Sequence, residues 1–156
     1  MSRDNKTPRA RLDEGELHDL LGYQLAQAAI MTSASFLREV GKPLALGQVE
    51  LTILHLINKN TLVTASKLAR ALAISMPAIT AWISRLEKRG LLSRQQNPKD
   101  RRSQHFCVTP DGHALVSSAI TSLLKAESQT LTHLSAAERA MLLELLRKVA
   151  RHRTSS

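Results

Sequence analysis

The sequence predicts a mainly α-helical chain that carries one small β-hairpin. Apolar residues recur at three- and four-residue spacings over most of its length. Capping residues and prolines punctuate those stretches, and two short extended runs flank a polar, strongly charged link. With 156 residues, 43% of them hydrophobic, the chain suits one compact domain with a helical extension and has enough apolar material for a core.

The elements follow in order. Residues 1–14 read as a disordered basic arm, polar and broken by Pro8. A long helix runs from Glu16 to about Val40. Its apolar stripe, including Leu17, Leu21, Leu25 and Phe36, is too broad for one covering surface. Gly41-Lys42-Pro43 ends it. A second helix, about Gly47 to Asn58, is apolar nearly all round and reads as central core. Thr64 caps a third, Ala65 to Leu72. After the turn Ala73-Ile74-Ser75, Ser75 caps a fourth helix with Pro77 in its first turn; it stops at Gly90, and Ile79, Ile83 and Leu86 form its core face. Leu91–Gln96 and Gln104–Thr109 read as two strands joined by Asn97–Ser103. Thr109 and Pro110 open a helix to about Thr132. Ser135 and Glu138 form a capping box for a last helix with Met141, Leu142, Leu145, Leu146 and Val149.

Charge narrows the partner. Lys and Arg total 22 against 13 Asp and Glu, a net charge of +9 that favours a polyanion. From Arg85 to His105 there are seven basic and two acidic residues, so this segment carries +5 of that charge. Aromatics at 3% argue against stacking on single-stranded nucleic acid. The one cysteine, Cys107, excludes an intrachain disulfide, a multi-cysteine zinc site and an iron–sulfur cluster held by this chain alone. No stretch of 18 apolar residues occurs and Met1–Arg11 lacks an apolar run, so the default expectation is a cytoplasmic protein. The basic residues cluster in the hairpin rather than along one helix face, which disfavours a membrane-surface helix.

Helix, three-residue turn, helix, then a hairpin with a basic tip is the order of a winged helix-turn-helix lobe. The second helix of such a pair enters the major groove, whose base edges present a distinct donor and acceptor pattern. Arginines at a strand tip suit the narrow minor groove. The chain resembles the MarR family of bacterial regulators through Gln48–Leu54, Lys67-Leu68-Ala69, Ile79-Thr80, Arg85–Arg94, Pro98–Ser103, Thr109–Gly112 and Leu134–Glu138. The Asp100-Arg101-Arg102 wing after a Leu-Glu-x-x-Gly-Leu run is the most specific part.

The resemblance implies a homodimer. Residues 15–45 and 110–152 would form its helical dimerisation region, and 46–109 the DNA-binding domain reading a pseudo-palindromic operator in double-stranded DNA. It implies that Ser75, Pro77, Ala78, Thr80, Ala81, Ser84 and Arg85 face DNA from the recognition helix. The family often carries an arginine where Ala81 stands, and alanine offers guanine no guanidinium. Arg101 is the minor-groove candidate, Arg102 matches the family's most regular wing arginine, and Asp100 would orient a wing arginine. Ser66, Lys67, Arg94, Gln96 and Lys99 are expected to position phosphates. A pocket for a small aromatic or phenolic effector is the family's other common feature. His18, Tyr23, Gln27, Met31, Ser35, Arg38 and His55 are its candidates here, and no metal or other cofactor is expected. The expected activity is that of a repressor released by such a ligand.

Competing readings are an effector-independent architectural DNA-binding protein and a thiol-based regulator using Cys107. Family members that sense peroxide place a cysteine near the start of the first long helix, where this chain has none. An enzyme is not expected: no nucleophile–base pair, paired carboxylates or phosphate-cradling glycine loop is visible.

Overall fold

The computed structural model describes residues 5–97 and 100–152, with side chains throughout except at 97 and 100–103. Helix α1 spans Leu21–Phe36, α2 Gln48–Lys59, α3 Ala65–Leu72 and α4 Met76–Lys88. Strands β1 (Leu92–Asn97) and β2 (Asp100–Val108) pair antiparallel, and α5 (Pro110–Thr130) and α6 (Ala136–Arg151) complete the chain. The mainly helical fold with a single hairpin is as expected.

The first long helix is not continuous. A 3-10 turn at Gly15–Asp19 precedes α1, with Leu20 extended between them, and α1 ends in a π turn at Leu37–Gly41. Residues 5–14 also depart from the expected disordered arm. Lys6 and Asp13 form a β-bridge, the Thr7 and Glu14 amides donate to the Leu12 and Asn5 carbonyls, and Glu14 is buried. Local hydrogen bonds and a carboxylate that finds partners order this segment, which its polar composition concealed.

The other boundaries follow from local chemistry. The Thr64 hydroxyl accepts from the Lys67 amide to start α3, and Thr109 accepts from Gly112 to start α5. Ser135 and Glu138 exchange both capping-box bonds at α6. Ser75 sits at the N-cap of α4, but its side chain makes no capping bond. Gly90, with φ +69°, ends α4 in the left-handed conformation while the Leu91 amide reaches back to the Leu86 carbonyl. Strand β2 begins earlier than expected, at Asp100, where Asn97 pairs with Asp100 after a register irregularity between Gln96 and Asn97.

One core joins these elements. Leu51, Ile53, Leu54 and Ile57 of α2 pack with Leu68, Ile79, Ile83, Leu86, Leu92, Phe106 and Val116. The Phe106 amide donates to the Val63 carbonyl at 2.9 Å, which fastens β2 to the loop before α3. Gly112 permits α5 to lie against the end of α4: a Cβ there would stand 2.3 Å from the Leu91 carbonyl oxygen. By contrast α6 buries none of its residues, and Met141, Leu142, Leu143, Leu145 and Val149 are all exposed.

Candidate nucleic-acid interface

The α3–turn–α4 unit is fixed from beneath. Ile79, Ile83 and Leu86 are fully buried, so the opposite face of α4 must point outward. Ser75, Pro77, Thr80, Ala81 and Arg85 are exposed there, with Ala78 and Ser84 half-buried at its edge. The turn closes on Ala73, left-handed at φ 52°, and on the Ile74 amide donating to the Ala69 carbonyl. The Thr80 hydroxyl donates to the Met76 carbonyl at 2.9 Å, which leaves its lone pairs to accept from an adenine or cytosine amino group. Because the Ser75 side chain caps nothing, the first-turn amides of α4 remain open to a phosphate.

The flanking residues divide into two groups. Ser66 and Gln96 are exposed beside this face. Lys67 is exposed too, but its ammonium donates to the Leu62 carbonyl at 3.0 Å and steadies a residue held at φ 52°. Arg94 is committed more fully. Its Nε and Nη2 donate to the two Glu87 carboxylate oxygens at 2.6 and 2.8 Å, and its guanidinium lies 5.6 Å from the Phe106 ring centroid. The Glu87 hydrogen bonds hold the Arg94 guanidinium above even its ordinary pKa. Arg94 thus braces β1 against α4. Lys99 lies outside the described residues, as do the side chains of Asp100, Arg101 and Arg102.

The candidate effector residues do not converge on one cavity. His18 and Tyr23 meet on Glu14, whose carboxylate lies 3.2 Å from His18 Nδ1 and accepts from the Tyr23 hydroxyl at 3.0 Å. Gln27 also hydrogen-bonds that hydroxyl. Burial, then the bond to Glu14, raises the Tyr23 pKa above its usual range. Arg38 is exposed and pairs with its neighbour Glu39 at 2.6 Å, and Met31 is exposed. Ser35 Oγ and His55 Nδ1 are buried without a hydrogen-bond partner among the described residues. Half-buried Cys107 is paired in register with Ser93. No group of three metal-ligating side chains occurs among the described residues, and no described helix is long and apolar enough to cross a membrane.

A cavity of about 660 Å³ lies elsewhere, where the end of α1, the 41–47 corner and the start of α2 meet α4. Ser33, Phe36 and Leu37 line one side, Gln48, Val49 and Glu50 another, and Trp82 and Arg85 of α4 the third. Glu50 is 2% exposed; its Oε2 accepts from the Gly47 amide at 2.7 Å and its Oε1 lies 3.2 Å from Arg85 Nη2. One turn further along, Arg89 donates to the Ala45 and Leu44 carbonyls at 2.7 and 2.8 Å. Arg85 of α4 and Arg89 at its C-cap therefore tie that helix to the α1–α2 corner. Sequence reasoning missed the cavity, although a lone carboxylate inside an otherwise apolar helix, three residues after Gly47, was a visible signal.

The sequence profile of the MarR family matches residues 46–104. The chain is 31% identical to the transcriptional repressor CouR bound to a 23-mer DNA duplex, with 89% of this chain and 98% of that one covered and a TM-score of 0.81. CouR bound to p-coumaroyl-CoA is likewise 31% identical, covers 89% and 97%, and has a TM-score of 0.78. BpsR of Bordetella bronchiseptica, whose DNA binding is regulated by 6-hydroxynicotinic acid, is 27% identical over 86% of this chain and 96% of that one, at a TM-score of 0.76. The regulatory protein assigned to the hcr operon of Thauera aromatica is 27% identical over 142 residues, 91% of this chain and 86% of that protein.

Proposed function

The chain belongs to the MarR family of transcriptional regulators, and from that membership we propose that two copies of it repress transcription by clamping duplex DNA and let go when a small ligand binds. The observation that carries the DNA-binding reading is the outward face of α4, which presents Thr80, Ala81 and Arg85 over a fully buried Ile79–Ile83–Leu86 stripe. The likeness to CouR on a DNA duplex supports the same reading. Residues 46–109 form the DNA-reading lobe, with Arg101 and Arg102 carrying the wing into the minor groove.

Residues 15–45 and 110–152 form the dimerisation region. In support, α6 is well capped yet buries nothing within one chain, and Leu17, Leu20, Leu21 and Leu25 are exposed too. A second copy of the same surface is the simplest cover for two such faces. The CouR and BpsR ligands support a small aromatic or phenolic effector, acting by population shift toward a dimer with misplaced recognition helices. No catalytic role is assigned to any residue.

Selection of duplexes from a random-sequence library tests this. The expected product is a pseudo-palindrome whose half-sites lie about one helical turn, roughly 10 base pairs, apart. Recovery of sequences without two-fold symmetry would overturn the dimeric reading.

A further inference from the structure

We propose that Glu50, too deeply buried to touch DNA itself, is a positioning residue for DNA recognition: its carboxylate holds the Arg85 guanidinium in place, so that the contact Arg85 makes with an operator is preorganised. This rests on the DNA-binding reading above and adds a residue from outside the DNA-facing surface. From Ser75 to Arg85, the stretch of α4 that supplies the outward face, Arg85 is the only charged residue. Its side chain is 63% exposed, and so long a side chain in solvent ordinarily samples many rotamers. Arg85 Nη2 stands instead 3.2 Å from Glu50 Oε1.

Glu50 is built as an anchor. It is 2% exposed, and its Oε2 accepts from the Gly47 amide at 2.7 Å, which fixes the plane of the carboxylate. Oε1 accepts no hydrogen bond from any described residue, so the charge of Arg85 is what offsets its burial. The frame around the pair is rigid too. Ile83 and Leu86 beside Arg85 are fully buried, and Arg89 donates to the Ala45 and Leu44 carbonyls at 2.7 and 2.8 Å, which keeps α4 against the corner from which α2 starts. The pair is held by charge rather than by an aligned N–H bond, so the guanidinium commits none of its donors to Glu50 and can offer them to a phosphate or a base edge. An unrestrained arginine loses its rotamer freedom when it binds; here most of that loss has already occurred on folding.

The test compares affinity for the library-selected duplex with affinity for a scrambled duplex of the same length. The ratio is the right readout, because Glu50→Gln also removes a negative charge and so strengthens attachment to any DNA. In this variant the amide oxygen still caps Gly47, while the NH2 group faces Arg85 and releases it. The selected-to-scrambled ratio should fall about threefold per chain, and about tenfold for a duplex that binds two chains. Arg85→Gln should lower the ratio further, and the double variant should match Arg85→Gln, since Glu50 acts through Arg85 alone. A second measurement needs no substitution at Glu50: nitrogen NMR relaxation of the free wild-type protein should show Arg85 Nε restrained, as for the Glu87-bound Nε of Arg94. A ratio unchanged in Glu50→Gln, effects that multiply in the double variant, or an Arg85 Nε mobile in the wild type would overturn the proposal. A wild-type ratio near one would overturn the sequence-specific DNA-binding reading itself.

Discussion

Arg94 offers a sharp division between two roles that a basic wing residue can have. If it braces β1 against α4, Arg94→Met removes a two-pronged ion pair to Glu87 and a guanidinium over Phe106, while keeping an apolar chain of similar length. The Arg94 side chain is 45% exposed and that of Glu87 22%, so solvent screens the pair and about 1 kcal/mol is the appropriate scale despite its good geometry. The ring contact adds about 0.5–1 kcal/mol at such an exposed site. Together they set an expected loss of about 1–2 kcal/mol, read from urea unfolding as a lower midpoint at unchanged slope. A double-mutant cycle with Glu87→Gln should assign about 1 kcal/mol of it to the pair. The salt dependence of DNA binding should stay the same, because each phosphate contact contributes about 0.9 to the slope of log affinity against log salt. Unchanged stability together with a slope shallower by about 1 would refute the bracing role and restore the phosphate contact.

Further outcomes follow from other residues. Gly112→Ala places a Cβ 2.3 Å from the Leu91 carbonyl oxygen and 2.6 Å from Val108 Cγ1, and should cost about 3 kcal/mol in a thermal or urea melt. Leu142→Glu on the uncovered face of α6 should leave the helical content intact and reduce the sedimenting species from two chains to one. The Ser135 hydroxyl, then its amide, hold the Glu138 carboxyl below its usual pKa; a group depressed in the folded state contributes stability above its unfolded value and loses it as pH falls through the folded one. Ser135→Ala should therefore raise the Glu138 pKa, seen by NMR titration, and α6 should fray on acidification at a higher pH than in the wild type. Arg101→Ala, chosen from its place in the sequence, should weaken operator binding by about 1–3 kcal/mol at fixed salt.

The DNA-reading lobe was the most legible part of the chain because its signals are local. Thr64, Thr109 and the Ser135–Glu138 box cap the helices they were expected to cap, and Gly90 ends α4 as its position suggested. Ser75 was a capping residue by type and place, but its side chain bonds nothing; propensity names the position and not the bond. The ordered turn at residues 5–14 depends on Glu14, whose partners His18 and Tyr23 come from the next turn and the next helix, so its polar composition alone misleads. The cavity beside α4 was not legible for a related reason. Its lining comes from segments far apart in the sequence, and only the fold shows that α4 supplies Trp82 and Arg85 to a cavity at the end of α1. The partners of the arginines were equally hidden: Arg85, Arg89 and Arg94 are each engaged by a carboxylate or carbonyl of another element.

Two copies of the chain are proposed to hold one duplex through α4 and the wing. Fluorescence anisotropy on the library-selected duplex, at salt from about 50 to 200 mM and with stoichiometry fixed by sedimentation, measures it directly. The expected result is two chains per duplex and an affinity that falls by about a thousandfold or more over that range. One chain per duplex, or an affinity indifferent to salt, would contradict it.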